Sequence, residues 1–176
     1  MRFEATDLRD AFLVHLEPQR DARGSFARTF CADSFRAHGL VSDFPQHSVS
    51  QSFEAGTLRG MHFQIEPYGE TKLVRCLRGA IFDVIIDLRR DSSTFCHWQG
   101  FELSADNARQ LYVPRGFAHG FITLSADALV NYLISQIYVP EAAAGVRYDD
   151  PAFGVQWPVV PTVIADKDRN WPDFPC

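Results

Sequence analysis

Short apolar runs, broken every few positions by glycine, proline or charge, dominate this chain. Ala11 to Leu16 reads as a strand, followed by the turn-rich Glu17-Pro18-Gln19-Arg20-Asp21-Ala22-Arg23-Gly24. Cys31 to His38 predicts a short helix stopped by Gly39, since glycine accepts the left-handed conformation at helix ends. Leu58 to Gln64 reads as a strand with a histidine at its centre. Leu73 to Leu77, the Arg78-Gly79 turn and Ala80 to Leu88 predict a hairpin rich in Ile and Val. Leu111 to Val113 is a short strand ended by Pro114. Ala118 to Leu124 and Ala128 to Tyr138 are two more strands, joined near Ser125-Ala126-Asp127. From Asp149 onward Pro151, Pro158, Pro161, Pro172 and Pro175 forbid long regular elements. Phe153, Trp157, Trp171 and Phe174 are large apolar anchors there, so this irregular Pro-rich tail is expected to wrap the core. Many short strands with little helix predict an all-β sandwich or barrel.

Alternation along a strand sorts these residues into faces. Leu58, Gly60, His62 and Gln64 share one face, and His119, Phe121 and Thr123 another. Val130, Tyr132, Ile134, Gln136 and Tyr138 fall on a third, and Lys72, Val74 and Cys76 on a fourth. If these faces line one interior, two histidines, two tyrosines and two glutamines meet among apolar walls, the usual make-up of a ligand site. Histidine titrates near neutrality and tyrosine well above it. A base and a weak acid on rigid strands suit proton transfer at carbon, the chemistry of an isomerase or epimerase. Each residue taken singly has a plainer reading. A mid-strand histidine is usually a hydrogen-bonded structural residue, Tyr132 a core side chain, and Cys76 a small core hydrophobe. Asp168, within Ala165-Asp166-Lys167-Asp168, reads as part of a solvated charge cluster. Alternation places Arg59 opposite His62 unless Gly60 bends the strand. Asp83, in an apolar strand, needs a partner if it faces inward, with Lys72 and His119 as candidates.

The length of 176 residues predicts one domain over 1–176. A chain of this size buries roughly 70% of its unfolded surface, so it requires no disulfide or structural metal. The formal charge of -5 and the lack of a basic stripe argue against nucleic acid as a partner. Arg59, Lys72, Arg75 and His119 leave small anionic ligands open. Cys31, Cys76, Cys96 and Cys176 form no C-x-x-C pair. No apolar run approaches the ~20 residues of a membrane span, and Met1 to Asp7 does not resemble a signal peptide. A cytoplasmic protein is expected. No His-x-His pair occurs, and the position two after His62 is Gln64, a poor metal ligand. Neither a metal nor another cofactor is expected.

Several ordered segments carry a family resemblance. They are Asp21-Ala22-Arg23-Gly24, His47-Ser48-Val49-Ser50, Leu58-Arg59-Gly60-Met61-His62-Phe63-Gln64 and Lys72-Leu73-Val74-Arg75-Cys76. They continue through Phe82-Asp83-Val84, Pro114-Arg115-Gly116-Phe117-Ala118-His119-Gly120-Phe121, Asp149-Asp150-Pro151 and Lys167-Asp168. Over nearly its whole length the chain resembles the dTDP-4-dehydrorhamnose 3,5-epimerase family, a metal-free branch of the cupin-like jelly rolls. The resemblance implies an all-β jelly-roll barrel with short helices. It implies a nucleotide-diphosphate 4-keto-6-deoxyhexose as substrate, inverted at C3 and/or C5 through an enolate. His62 matches the base, Asp168 the carboxylate that orients it, and Tyr132 the acid on the opposite side. Lys72 matches the cation beside the enolate oxygen. Arg59 and His119 match residues that hold the ligand. Arg23, Phe26 and Tyr138 match nucleotide or diphosphate contacts. The family also implies a homodimer in which an N-terminal strand crosses over and carries Arg23 to the neighbour's site.

Departures fall at Arg28, Phe44, Gln46 and Leu133, where the family commonly has Glu, Gln, Asn and Lys. Those at Arg28, Phe44 and Gln46 lie in the nucleotide-reading part of the pattern. A CDP- or GDP-linked sugar therefore stays open beside a dTDP-linked one, and so does inversion of one centre or two. A sugar-nucleotide 3,4-ketoisomerase and a non-catalytic sugar-nucleotide binding module are the alternative readings.

Overall fold

The computed structural model describes residues 1–175; Cys176 lies outside them. The strands in chain order are β1 (Arg2–Ala5), β2 (Phe12–His15), β3 (Gln19–Asp21), β4 (Gly24–Phe26), β5 (Gln46–Ser52), β6 (Thr57–Gln64) and β7 (Lys72–Arg78). They continue with β8 (Ala80–Asp87), β9 (Trp98–Ser104), β10 (Arg109–Val113), β11 (Phe117–Thr123), β12 (Ala128–Ile134), β13 (Ala143–Gly145) and β14 (Val163–Ile164). The helices α1 (Ala32–Ala37) and α2 (Asp166–Arg169) are short.

Two sheets face each other. One runs β1-β2-β10-β7-β12-β5 and the other β13-β6-β11-β8-β9, with β14 added in parallel to β6. The core between them is built by alternation, with Leu13, Val74, Leu111 and Val130 from the first sheet and Ile81, Ile85, Leu103 and Phe121 from the second. Burying each such side chain contributes about 1.5–3 kcal/mol. The outer face of the second sheet is also covered. Met61, Val84, Ile86 and Ala118 pack beneath Val146, Phe153, Trp157 and Phe174 of the tail. That double burial explains why β8 is a nearly unbroken apolar run. On the outer face of the first sheet, Val14, Leu73 and Tyr112 pack against Phe35 of α1 and Phe44.

The tail wraps the barrel as its aromatic anchors imply. It is fastened by Asp150, whose carboxylate accepts from the Phe174 N–H at 2.8 Å, and by the Arg147–Asp173 ion pair at 2.7 Å. Among the described residues no helix is long and apolar enough to cross a membrane.

Three expectations change. The turn-rich segment from Glu17 to Gly24 contains β3, which pairs with β4 in a separate two-stranded hairpin. The strand expected to reach Tyr138 ends at Ile134: Ser135 still donates its N–H to the Thr71 carbonyl, but the Thr71 N–H turns to Ser135 Oγ at 2.8 Å instead of completing the next backbone pair. β5 carries no apolar alternation, yet it pairs with β12 over its whole length. Its inward positions Gln46, Ser48 and Ser50 are polar because they face a cavity rather than the core.

Candidate active site

Side chains from both sheets line a cavity of about 640 Å³. Sheet register decides which side chains reach it. In the first sheet, Tyr132 pairs with Ser48 and Val74, and Ile134 pairs with Gln46 and Lys72, so one face carries Gln46, Ser48, Lys72 and Tyr132. In the second sheet His62 of β6 pairs directly with His119 of β11, and directly opposed residues share a face. His62 and Tyr132 therefore enter the cavity from opposite walls.

Arg59 also lines the cavity, against strict alternation. Between His119–His62 and Phe121–Arg59 the register shifts, so β6 spends one residue more than β11 there. Gly60 makes this bulge possible. Its φ is +139°, and a Cβ on it would sit 2.5 Å from the Gly120 Cα. Arg59 is then fixed by Nε on Ser52 Oγ at 3.1 Å and Nη2 on the Gln51 carbonyl at 3.0 Å.

His62 and Asp168 form a tight pair, Nε2 to Oδ1 at 2.7 Å. The other carboxylate oxygen accepts from the Gly60 N–H at 3.1 Å. Asp168 sits on α2, which follows β14 and packs beside β6, and its side chain is only 6% exposed against 41% for His62. The solvated-cluster reading of Asp168 is thus corrected: only a tertiary strand pairing brings it inward. Burial opposes ionisation of its carboxyl. The His62 hydrogen bond and charge, joined by the Gly60 N–H, outweigh burial and hold it below the usual carboxylate range. An ionised carboxylate can only accept, so His62 Nε2 carries a proton toward Asp168, and in the neutral imidazole the lone pair then falls on Nδ1.

A second histidine–aspartate pair lies deeper. His119 Nε2 is 2.6 Å from Asp83 Oδ1, and both side chains are almost fully buried. This answers which partner Asp83 takes. The Tyr132 ring meets His119 edge to face, with centroids 6.1 Å apart. Burial first, and the negative charge of Asp83 second, push the Tyr132 hydroxyl well above its ordinary value, so it stays protonated.

Lys72 pairs with Glu70 at 3.0 Å, and both are largely buried. Glu70 was not expected from the sequence. It precedes the predicted strand, in a turn segment with no periodic signal. Tyr138 lies beyond β12, half-exposed on the cavity lip, with its N–H on Gln46 Oε1 at 3.1 Å. Gln136, expected among the lining residues, does not line the cavity. Among the described residues, no group of three or more His, Cys, Asp or Glu side chains is arranged to hold a metal ion.

Arg23 and Phe26 are not brought into this cavity. Both lie on the β3–β4 hairpin, whose strands pair only with each other. Arg23 is bound to Asp21 of the same hairpin, and Phe26 is 74% exposed. Within the chain, neither residue lines its own cavity.

A family model described as dTDP-4-dehydrorhamnose 3,5-epimerase matches residues 5–175. A protein of that name from Methanothermobacter thermautotrophicus is 45% identical over 174 residues, covering 97% of this chain and 92% of the relative. The crystal structure of a dTDP-4-dehydrorhamnose 3,5-epimerase from Bacillus anthracis, with TDP and PPi bound, superposes with a TM-score of 0.95. It is 43% identical and the match covers 98% of this chain and 99% of that one. A dTDP-6-deoxy-D-glucose-3,5-epimerase from Legionella pneumophila, in complex with dTDP-4-keto-L-rhamnose, gives a TM-score of 0.89 at 36% identity. That match covers 95% of this chain and 89% of the other.

Proposed function

The chain belongs to the dTDP-4-dehydrorhamnose 3,5-epimerase family, and from that premise we propose what each pocket residue does. It is an isomerase with a cupin-like jelly-roll fold, a 3,5-epimerase of a nucleotide-linked 4-keto-6-deoxy sugar. The observation that carries our reading of the site is the pairing of His62 with an ionised Asp168 on one wall and a protonated, partly buried Tyr132 on the other.

The C4 ketone acidifies the protons at C3 and C5. The unprotonated ring nitrogen of His62 takes one of them, and the electron pair of the broken C–H bond moves into an enolate with its charge on the C4 oxygen. Asp168 steadies the imidazolium that results. The Lys72 ammonium stands beside the enolate oxygen, where fixed positive charge is worth most in the transition state. Tyr132 then delivers its hydroxyl proton to the opposite face of the same carbon, and the configuration inverts. His62 then releases its proton to solvent and Tyr132 regains one from solvent, and repetition at the second carbon completes the reaction. Arg59 and His119 hold the ligand. A dTDP-linked sugar is the substrate we favour, since the Bacillus and Legionella structures carry TDP and a dTDP-sugar.

We assign Arg23 and Phe26 to the pocket of a second subunit in a homodimer. The exposed hairpin, which does not line its own cavity and carries an exposed aromatic ring, supports that reading.

Incubation with dTDP-4-dehydro-6-deoxy-D-glucose and product identification by NMR tests this function. The expected product is dTDP-4-dehydro-L-rhamnose. A 3-keto product would identify a ketoisomerase. Tight binding without conversion would identify a binding module.

A further inference from the structure

Lys72 is held by more than the strand that bears it. Its ammonium lies 3.0 Å from Glu70 Oε1 and 3.4 Å from the His62 carbonyl. An ammonium has three donors, so the protein engages two and leaves one for a ligand. Glu70 is itself immobilised. Its other oxygen accepts from Gln64 Nε2 at 3.1 Å. Gln64 is locked in turn, with its Oε1 accepting from the Val139 N–H at 2.7 Å and its Nε2 donating to the Tyr68 carbonyl at 3.0 Å. Both Glu70 and Lys72 border the cavity with side chains only 10–11% exposed.

Stability alone does not account for such a pair. Desolvating two charges costs about as much as their attraction returns, and an apolar pair of similar volume often serves better. The cost is offset where a charge must stand in one place. A lysine on a flexible four-carbon stem otherwise has many rotamers and every incentive to reach for water.

We infer that Glu70 is a positioning residue, which holds the Lys72 ammonium at one point of the pocket wall before the ligand arrives and so presets it for the developing negative charge. The inference rests on the reading of Lys72 given above. Glu70 acts on the transition state through Lys72 and does not touch the reacting carbons.

Glu70→Gln keeps an oxygen for Gln64 and removes the charge beside Lys72. With steady-state kinetics of solvent-deuterium incorporation into the 4-keto sugar, kcat is expected to fall about tenfold or more while KM moves less than about threefold. In a Lys72→Met background the same substitution is expected to add less than about twofold, because the group it positions is gone. Glu70→Asp, which restores the charge at shorter reach, is expected to recover part of the loss. Should Glu70→Gln fail to fold, the double variant leaves no lone buried charge, and its comparison with Lys72→Met and with Glu70→Asp carries the test. Wild-type rates in Glu70→Gln, or equal losses with and without Lys72, would overturn the inference and leave the epimerase reading standing. Absence of exchange in the unmodified protein would overturn both.

Discussion

In the mechanism we propose, His62, Asp168, Lys72 and Tyr132 carry the chemistry, and each is set by an environment that the residue alone does not reveal. Replacing His62 with Ala removes the proposed base, and solvent-deuterium exchange is expected to fall by at least roughly 10²–10⁴-fold, the usual contribution of a positioned acid or base. Unchanged exchange in that variant would exclude His62. Tyr132→Phe keeps the edge-to-face contact with His119 and loses only the hydroxyl. Turnover is expected to drop by about 10²-fold or more, with unfolding free energy in urea within about 1 kcal/mol of wild type. Asp168 also contributes to stability, with a definite sign. Its carboxyl titrates lower in the folded protein than in the unfolded chain, so its contribution is present above the unfolded value near 4 and is lost as pH falls through the folded one. Asp168→Asn is expected to flatten the acid limb of stability below about pH 4. Urea titrations at several pH values would show this, and a limb parallel to wild type would contradict it. Asp87, lowered by Arg89, Ser92 and Thr94 against the effect of its burial, keeps its own share of that limb.

At the scale of the element, the bulge in β6 decides the site. It turns Arg59 and His62 onto one cavity, and it depends on Gly60. Gly60→Ala forces a side chain into a left-handed backbone and against the Gly120 Cα. The conformation alone is expected to cost about 1–3 kcal/mol, read as a lower midpoint in thermal unfolding, with activity lost even in the folded fraction. A variant as stable and active as wild type would show that the bulge is dispensable. The strands were legible wherever one face meets the core, as in β8, β11 and most of β12. β5 was not, because a strand that lines a polar cavity loses its apolar period. β9, with Gly100 beneath the Phe82 ring, was hidden for a related reason, its alternation interrupted by close packing. The reach of Asp168 was invisible in local sequence. Family motifs named it, but its burial depends on β14 pairing with β6 across more than a hundred residues.

For the whole molecule, two walls from different sheets enclose one pocket, and the hairpin bearing Arg23 and Phe26 belongs to another subunit's pocket in the assembly we propose. Sedimentation is expected to give a dimer, and Arg23→Ala to weaken dTDP binding without altering thermal stability; a monomer with full affinity would remove the hairpin from the site. Motif order made the function legible, whereas in the assembly we propose the placement of Arg23 and Phe26 lies in how two chains meet. The most direct test of the account is proton NMR of dTDP-4-dehydro-6-deoxy-D-glucose with the protein in heavy water. The H3 and H5 signals should both disappear, and should persist with His62→Ala. Persistence of both signals with the unmodified protein would contradict proton abstraction in this pocket.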